Sequence, residues 1–170
     1  MVVSRMRGGV KWYGLIAALA LLFGGQALAS ELDRARGGLD WEDARPAGLE
    51  VLHQEHFQGR EFTICVDPRT DPVLGDVRFD QRILRFVDDR LAAITFVKGE
   101  AGLDWYRVTR DQLEATLGAP TQVLDNPVFE LYQTYWRDAH SMGSLEWEEG
   151  DVEYDEPSSV SFTLSPPMGF

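Results

Sequence analysis

The chain is poor in the residues that usually announce chemistry. It has one cysteine, Cys65, three histidines and two lysines among 170 residues. A lone thiol excludes an internal disulfide, so the fold must stand on packing alone. No C-x-x-C pair, glycine-rich phosphate loop or G-x-S-x-G elbow occurs, which removes the signatures of dithiol redox, nucleotide-phosphate and serine-hydrolase chemistry. No apolar run reaches the roughly 20 residues that a membrane-spanning helix needs. Positive charge is scarce as well: 16 Lys and Arg stand against 28 Asp and Glu, for a formal charge of −12. Nucleic acid and anionic membrane would both be repelled, so neither is expected as a partner.

What the chain does have begins with residues 1–29, which read as an export signal: Arg5, Arg7 and Lys11, an apolar run from Trp12 to Phe23, Gly24-Gly25, and small residues at Ala27-Leu28-Ala29. A membrane anchor is the competing reading, but the run of about a dozen apolar residues is too short. The residue directly after Ala29 is Ser30 and not a cysteine, which excludes lipid attachment there, and Arg5-Met6-Arg7 is not a twin-arginine pair. Cleavage would leave 141 of the 170 residues, enough for one domain that buries about two-thirds of its unfolded surface. It would also remove three positive charges and no acids, taking the formal charge from −12 to −15. The expected product is a soluble, acidic protein of the periplasm or the cell exterior, with no stable membrane insertion.

The most explicit stretch is Gln81 to Pro120. Ile83–Val87 and Leu91–Val97 read as paired strands around Asp88-Asp89, residues that tolerate the left-handed backbone of a two-residue turn. That loop sets Phe86 opposite Leu91 and Leu84 opposite Ala93 on one side, with Ile83 opposite Ile94 on the other. Apolar residues on both faces suggest central strands. Thr109-Arg110-Asp111-Gln112 has the form of a capping box with Val108 and Leu113 as its staple. A start near Leu103 gives the longer helix and a stripe of Leu103, Tyr106, Leu113 and Leu117, and is preferred because two turns bury little. Gly118 and Pro120 end it.

Residues 30–48 form a charged leader that becomes ordered near Leu39 to Trp41, and residues 49–170 a single domain. Leu49–Val66 reads as a second hairpin turning at Gln58-Gly59, with a helix over Leu49–Phe57 as the competitor. Cys65 falls on its second strand as a buried small hydrophobe; a thiol nucleophile or an intermolecular disulfide is the sharper alternative. Val77-Arg78-Phe79 leads into the central hairpin, and Asp125-Asn126-Pro127 reads as a turn. Three strands follow: Val128–Arg137, with Phe129, Leu131 and Tyr135 on one side and Tyr132 and Trp136 on the other; Met142–Glu148; and Val160–Leu164. The fold class is α+β: an antiparallel sheet of two hairpins and a C-terminal three-stranded meander, packed on one main helix.

Candidate site residues are few. Trp41 and the acids Glu146, Glu148, Glu149, Asp151, Glu153, Asp155 and Glu156 are candidates for meeting a partner, one with a basic surface by electrostatic complementarity. The acids could instead hold a cation, although the D-x-D-x-D-G spacing of a calcium loop is absent; a solvated acidic loop is the plainer reading. His53 and His56 have H-x-x-H spacing, which converges on a metal only if the segment is helical. Paired carboxylates could serve hydrolysis, but nothing singles out two of the 28 acids. Ser141 and Ser144 beside Gly143 and His140 read as turn chemistry. No cofactor is expected.

Gly38-Leu39-Asp40-Trp41, Val77-Arg78-Phe79, Phe86-Val87-Asp88-Asp89-Arg90-Leu91 and Leu113 through Leu117-Gly118-Ala119-Pro120 together resemble a loose class of uncharacterised exported bacterial α+β proteins. In that class a tryptophan near the mature start, an F-x-x-x-R-L strand pair and a helix ending in G-x-P follow one another; this chain has Glu42 where the class carries glycine. Thr109-x-x-Gln112-Leu113, then Leu117-Gly118-Ala119-Pro120 and an aromatic strand, is more distantly similar to small outer-membrane-assembly lipoproteins and the β-lactamase-inhibitor-like fold, without their lipid-bearing cysteine. Both resemblances imply protein-binding modules, and neither supplies a functional residue. The expected function is therefore an exported, non-enzymatic protein-binding or envelope-associated module, with a small carboxylate-dependent hydrolase as the alternative and cation binding as the third.

Overall fold

The computed structural model describes residue 32 and residues 34–151 and 153–167. The export signal expected over 1–29 lies outside the described residues. The class is α+β, mostly antiparallel sheet with one long helix. The strands are β1 (Glu50–Phe57), β2 (Arg60–Val66), β3 (Val73–Leu74), β4 (Val77–Arg78), β5 (Gln81–Val87), β6 (Arg90–Gly99), β7 (Gln122–Asn126), β8 (Leu131–Arg137), β9 (Met142–Glu148) and β10 (Ser159–Ser165), and α1 (Leu103–Leu117) links β6 to β7. Eight of them form one sheet in the order β1-β2-β5-β6-β10-β9-β8-β7, and β3 and β4 make a separate two-stranded ribbon.

The segment 49–66 is a hairpin, not a helix. Gln58 and Gly59 both take positive φ, 50° and 78°, so the turn twists with its strands. Asp88 and Asp89 do the same at 51° and 64°. The Asp88 carboxylate then ties that turn to β2, accepting the Glu61 N–H at 2.9 Å and Arg60 Nε at 2.8 Å.

Three expectations about the strands are corrected by the tertiary structure. Phe86 does pair with Leu91, but a bulge follows, so Leu84 pairs with Ile94 and Ile83 with Thr95. The extra residue at Ala92-Ala93 shifts the register, which strict alternation cannot show. Val77-Arg78 does not begin the central strand; it pairs with Val73-Leu74, and Phe79 turns into the core at 2 % exposure. The aromatic strand starts at Leu131, because Gln122–Asn126 is itself a strand, β7, and residues 127–130 are the connection. There Asn126 Oδ1 accepts the N–H groups of Val128 and Phe129 at 3.1 and 3.3 Å, an Asx turn that sends both side chains into solvent.

The helix takes the longer form, from Leu103. Gly102 caps it without a side-chain hydrogen bond, so the Thr109 capping box is not formed. Thr109 is instead buried in mid-helix at 1 % exposure, and Val108 is exposed. A first turn from Leu103 lets Tyr106, Thr109 and Leu113 seat on the sheet together, and that burial outweighs a local cap. Gly118 closes the helix at φ 85°, ψ −178°, a region open essentially to glycine alone, and its N–H returns to the Glu114 carbonyl.

One face of the sheet carries the core. Phe86, Phe96, Leu145, Val160, Phe162 and Leu164 are all at or near zero exposure there, under α1 and the leader. The leader also supplies backbone: β10 reaches only Ile94 on β6, and beyond it Glu42 and Asp43 take up the carbonyl and N–H of Leu91. The opposite face has no described helix or strand over it. Its β2 and β5 part is largely apolar, with Phe62, Ile64, Ile83 and Val87 half-buried, whereas β10, β9 and β8 present Ser161, Thr163, Ser144, Glu146, Gln133 and Tyr135.

Candidate functional site

Trp41 is turned inward. Its indole packs against the core, its Nε1–H donates to the His140 carbonyl at 2.8 Å, and the Arg36 guanidinium lies 5.5 Å from the ring centre. It staples the leader to the β8–β9 connection, where Asp138 Oδ1 accepts the N–H groups of His140 and Ser141 at 2.6 and 2.7 Å. Ser141, fully buried, also lies 3.3 Å from the Trp41 indole nitrogen.

The acids gather at one end of the sheet. Glu146 sits on the open face of β9, exposed Glu148 ends that strand, and Glu149, Asp151, Glu153, Asp155 and Glu156 follow, all exposed, along the β9–β10 connection. Asp151 organises that loop through its Oδ1, which accepts the Glu153 N–H at 2.8 Å, and its carbonyl, which accepts the Glu156 N–H at 2.9 Å. None of the seven takes part in the ion pairs of the described residues. An eighth acid, Glu130, joins them. The β8–β9 register, with Tyr132 opposite Trp147, brings Glu130 beside Glu149. A hydrogen bond shared with Glu130, then charge repulsion from it, raises the Glu149 carboxyl above the ordinary carboxylate range. Strand register alone carried this pairing, so the order of residues held no signal for it.

His53 and His56 are held apart. Both lie on β1, where His53 pairs with Ile64 on the open side and His56 with Glu61 on the other. Each has its own carboxylate, Glu55 at 3.6 Å and Glu61 at 3.4 Å. Among the described residues no group of three or more His, Cys, Asp or Glu is arranged to hold a metal ion. Cys65 is at zero exposure, enclosed by the inner face of β2, so no reagent or substrate reaches it in the native state.

For hydrolysis by carboxylates, a raised acid in a cavity would be the general acid. The raised carboxyl at Glu149 is fully exposed and lies outside the described cavities. In the cavity beside β5, Asp67 and Asp80 are instead both lowered, mainly by hydrogen bonds from the Thr70 hydroxyl and the Lys98 ammonium.

The feature most open to a partner is β1 itself. Among the described residues it ends the sheet and pairs only with β2, and all eight of its residues are exposed, Val51, Leu52 and Phe57 by about half. Glu50 and Glu55 are its charged residues at neutral histidine, and no Lys, Arg or Pro guards it. Among the described residues no helix is long and apolar enough to cross a membrane. No family model matches the chain, and neither a curated protein nor a solved structure matches it.

Proposed function

We propose that the protein is an exported, non-enzymatic binding module of the periplasm or cell exterior, and that it captures an extended basic segment of another envelope protein along β1. The observation that carries this reading is the exposed eight-residue edge, which holds no Lys, Arg or Pro and is interrupted by one bulge between Val51 and His53. Its outward N–H and C=O groups can pair with an added strand, and alternate side chains set the preference. Glu50 and Glu55 on the edge favour lysine or arginine in that strand. The net negative charge, −12 for the whole chain and −15 without residues 1–29, steers such a segment inward and rejects acidic competitors. The unpaired acids of the β9–β10 connection add to the same long-range field.

A labelled peptide of alternating valine and lysine, set against its valine–glutamate counterpart, tests the reading with the chain from Ser30 onward. The basic peptide is expected to bind, more weakly as salt rises, and to slow amide exchange across Glu50–Phe57. Leu52→Lys with Phe57→Lys should abolish binding without loss of stability, since both side chains are exposed. Exchange protection that appears elsewhere and spares β1, or binding that survives the double substitution, would refute it.

A further inference from the structure

Arg82 stands where the alternation of β5 calls for an apolar residue. Leu84 and Phe86 follow it on the same inward face, and Arg82 is only 4 % exposed. One terminal nitrogen donates to the carbonyl of Arg36 in the leader, and the guanidinium lies 6.0 Å from the centre of the Phe96 ring. Gly37, at φ +65°, presses so close that a Cβ there would stand 3.0 Å from the same nitrogen. Arg82 Nε is buried without a partner, and no carboxylate lies within ion-pair distance of the guanidinium among the described residues.

A cavity of about 190 Å³ opens beside it, between the β2–β3 connection and the start of β5. Three acids line it: Asp67, Asp71 and Asp80. Each is already matched. Asp67 accepts the Thr70 hydroxyl at 2.6 Å and meets Arg69 Nε at 3.4 Å, Asp71 meets Arg78 at 3.4 Å, and Asp80 meets Lys98 at 2.7 Å. The cavity is thus left with one unbalanced charge, that of Arg82. Burial weakens its hold on the proton, and only the distant pull of Asp67 works the other way. A buried guanidinium without a counter-charge is costly, and a bound anion removes that cost.

We propose that this cavity binds a small carboxylate, with Arg82 as its counter-charge. The single positive excess fits a monoanion, and the second charge of a phosphate monoester would find no counter-charge there. The site is independent of β1.

Thermal melting of the chain from Ser30 onward tests it, with sodium acetate, propionate and phosphate compared against sodium chloride at equal ionic strength near neutral pH. Acetate and propionate are expected to raise Tm saturably and chloride not at all, with phosphate weaker than either. Arg82→Met should lose the carboxylate response while its own Tm stays at or above that of the parent, because the uncompensated charge is gone. Gln81→Glu, at the exposed edge of the cavity, should fold normally and weaken the response about tenfold, the scale of one added like charge near the surface. No saturable rise with carboxylates, a response retained in Arg82→Met, or one unchanged in Gln81→Glu overturns the site. A phosphate response equal to that of acetate overturns the carboxylate assignment.

Discussion

The hydroxyl of Tyr106 is the sharpest place to test how α1 is held on the sheet. Tyr106 is at zero exposure, and its hydroxyl lies 2.8 Å from Thr134 Oγ1 on β8, also at zero exposure. Its ring packs edge-on against Tyr132 at 6.2 Å between centroids. Tyr106→Phe keeps that packing and removes one partner of the buried pair. The Thr134 hydroxyl is then left without a protein partner where no water reaches it, at a cost of about 2 kcal/mol. Thr134→Val keeps the shape and suits a strand, but strands the tyrosine hydroxyl at a similar cost. The double variant buries neither group and should lose less than either single change, about 1 kcal/mol or under. The coupling is then about 3 kcal/mol in favour of the pair. Urea unfolding of the four proteins, followed by tryptophan fluorescence, reads each difference as a shift in midpoint at constant m. If the two single losses simply add in the double variant, the hydroxyls are not bonded to each other and the reasoning fails.

Three further outcomes follow from the same interior. Burial raises the Tyr106 hydroxyl above the ordinary tyrosine pKa; its stabilising contribution is therefore whole below the unfolded value of about 10 and is lost as pH rises through the folded one. Alkaline titration of stability should show that loss, and Tyr106→Phe should reduce it. Cys65, at zero exposure, should resist a thiol reagent in native buffer and react fully in urea; labelling at the rate of a free thiol in native buffer would contradict its burial. Gly143→Ala should destabilise by about 1–3 kcal/mol in the same urea assay, because the new methyl would sit 2.8 Å from the buried Phe162 ring.

Sequence by itself determined the local devices. Asp88-Asp89 and Gln58-Gly59 adopt the positive φ their hairpins need, Gly118 stops the helix, and alternation in Val160–Leu164 sends Val160, Phe162 and Leu164 inward. Such features are legible because each depends on a few consecutive residues and their own backbone preferences. Other local signals were overridden by packing: Thr109 has the form of a cap yet is a buried helix residue, since starting the helix at Leu103 buries Tyr106 as well. The tertiary structure alone decided which strand became the open edge, that Glu130 meets Glu149, that His53 and His56 part, and that Arg82 is walled in by a leader carbonyl some 46 residues away in sequence. Those outcomes depend on the order and register in which strands pair. A shift of one residue, like that at the Ala92-Ala93 bulge, changes which side chains meet without changing the pattern from which they are read.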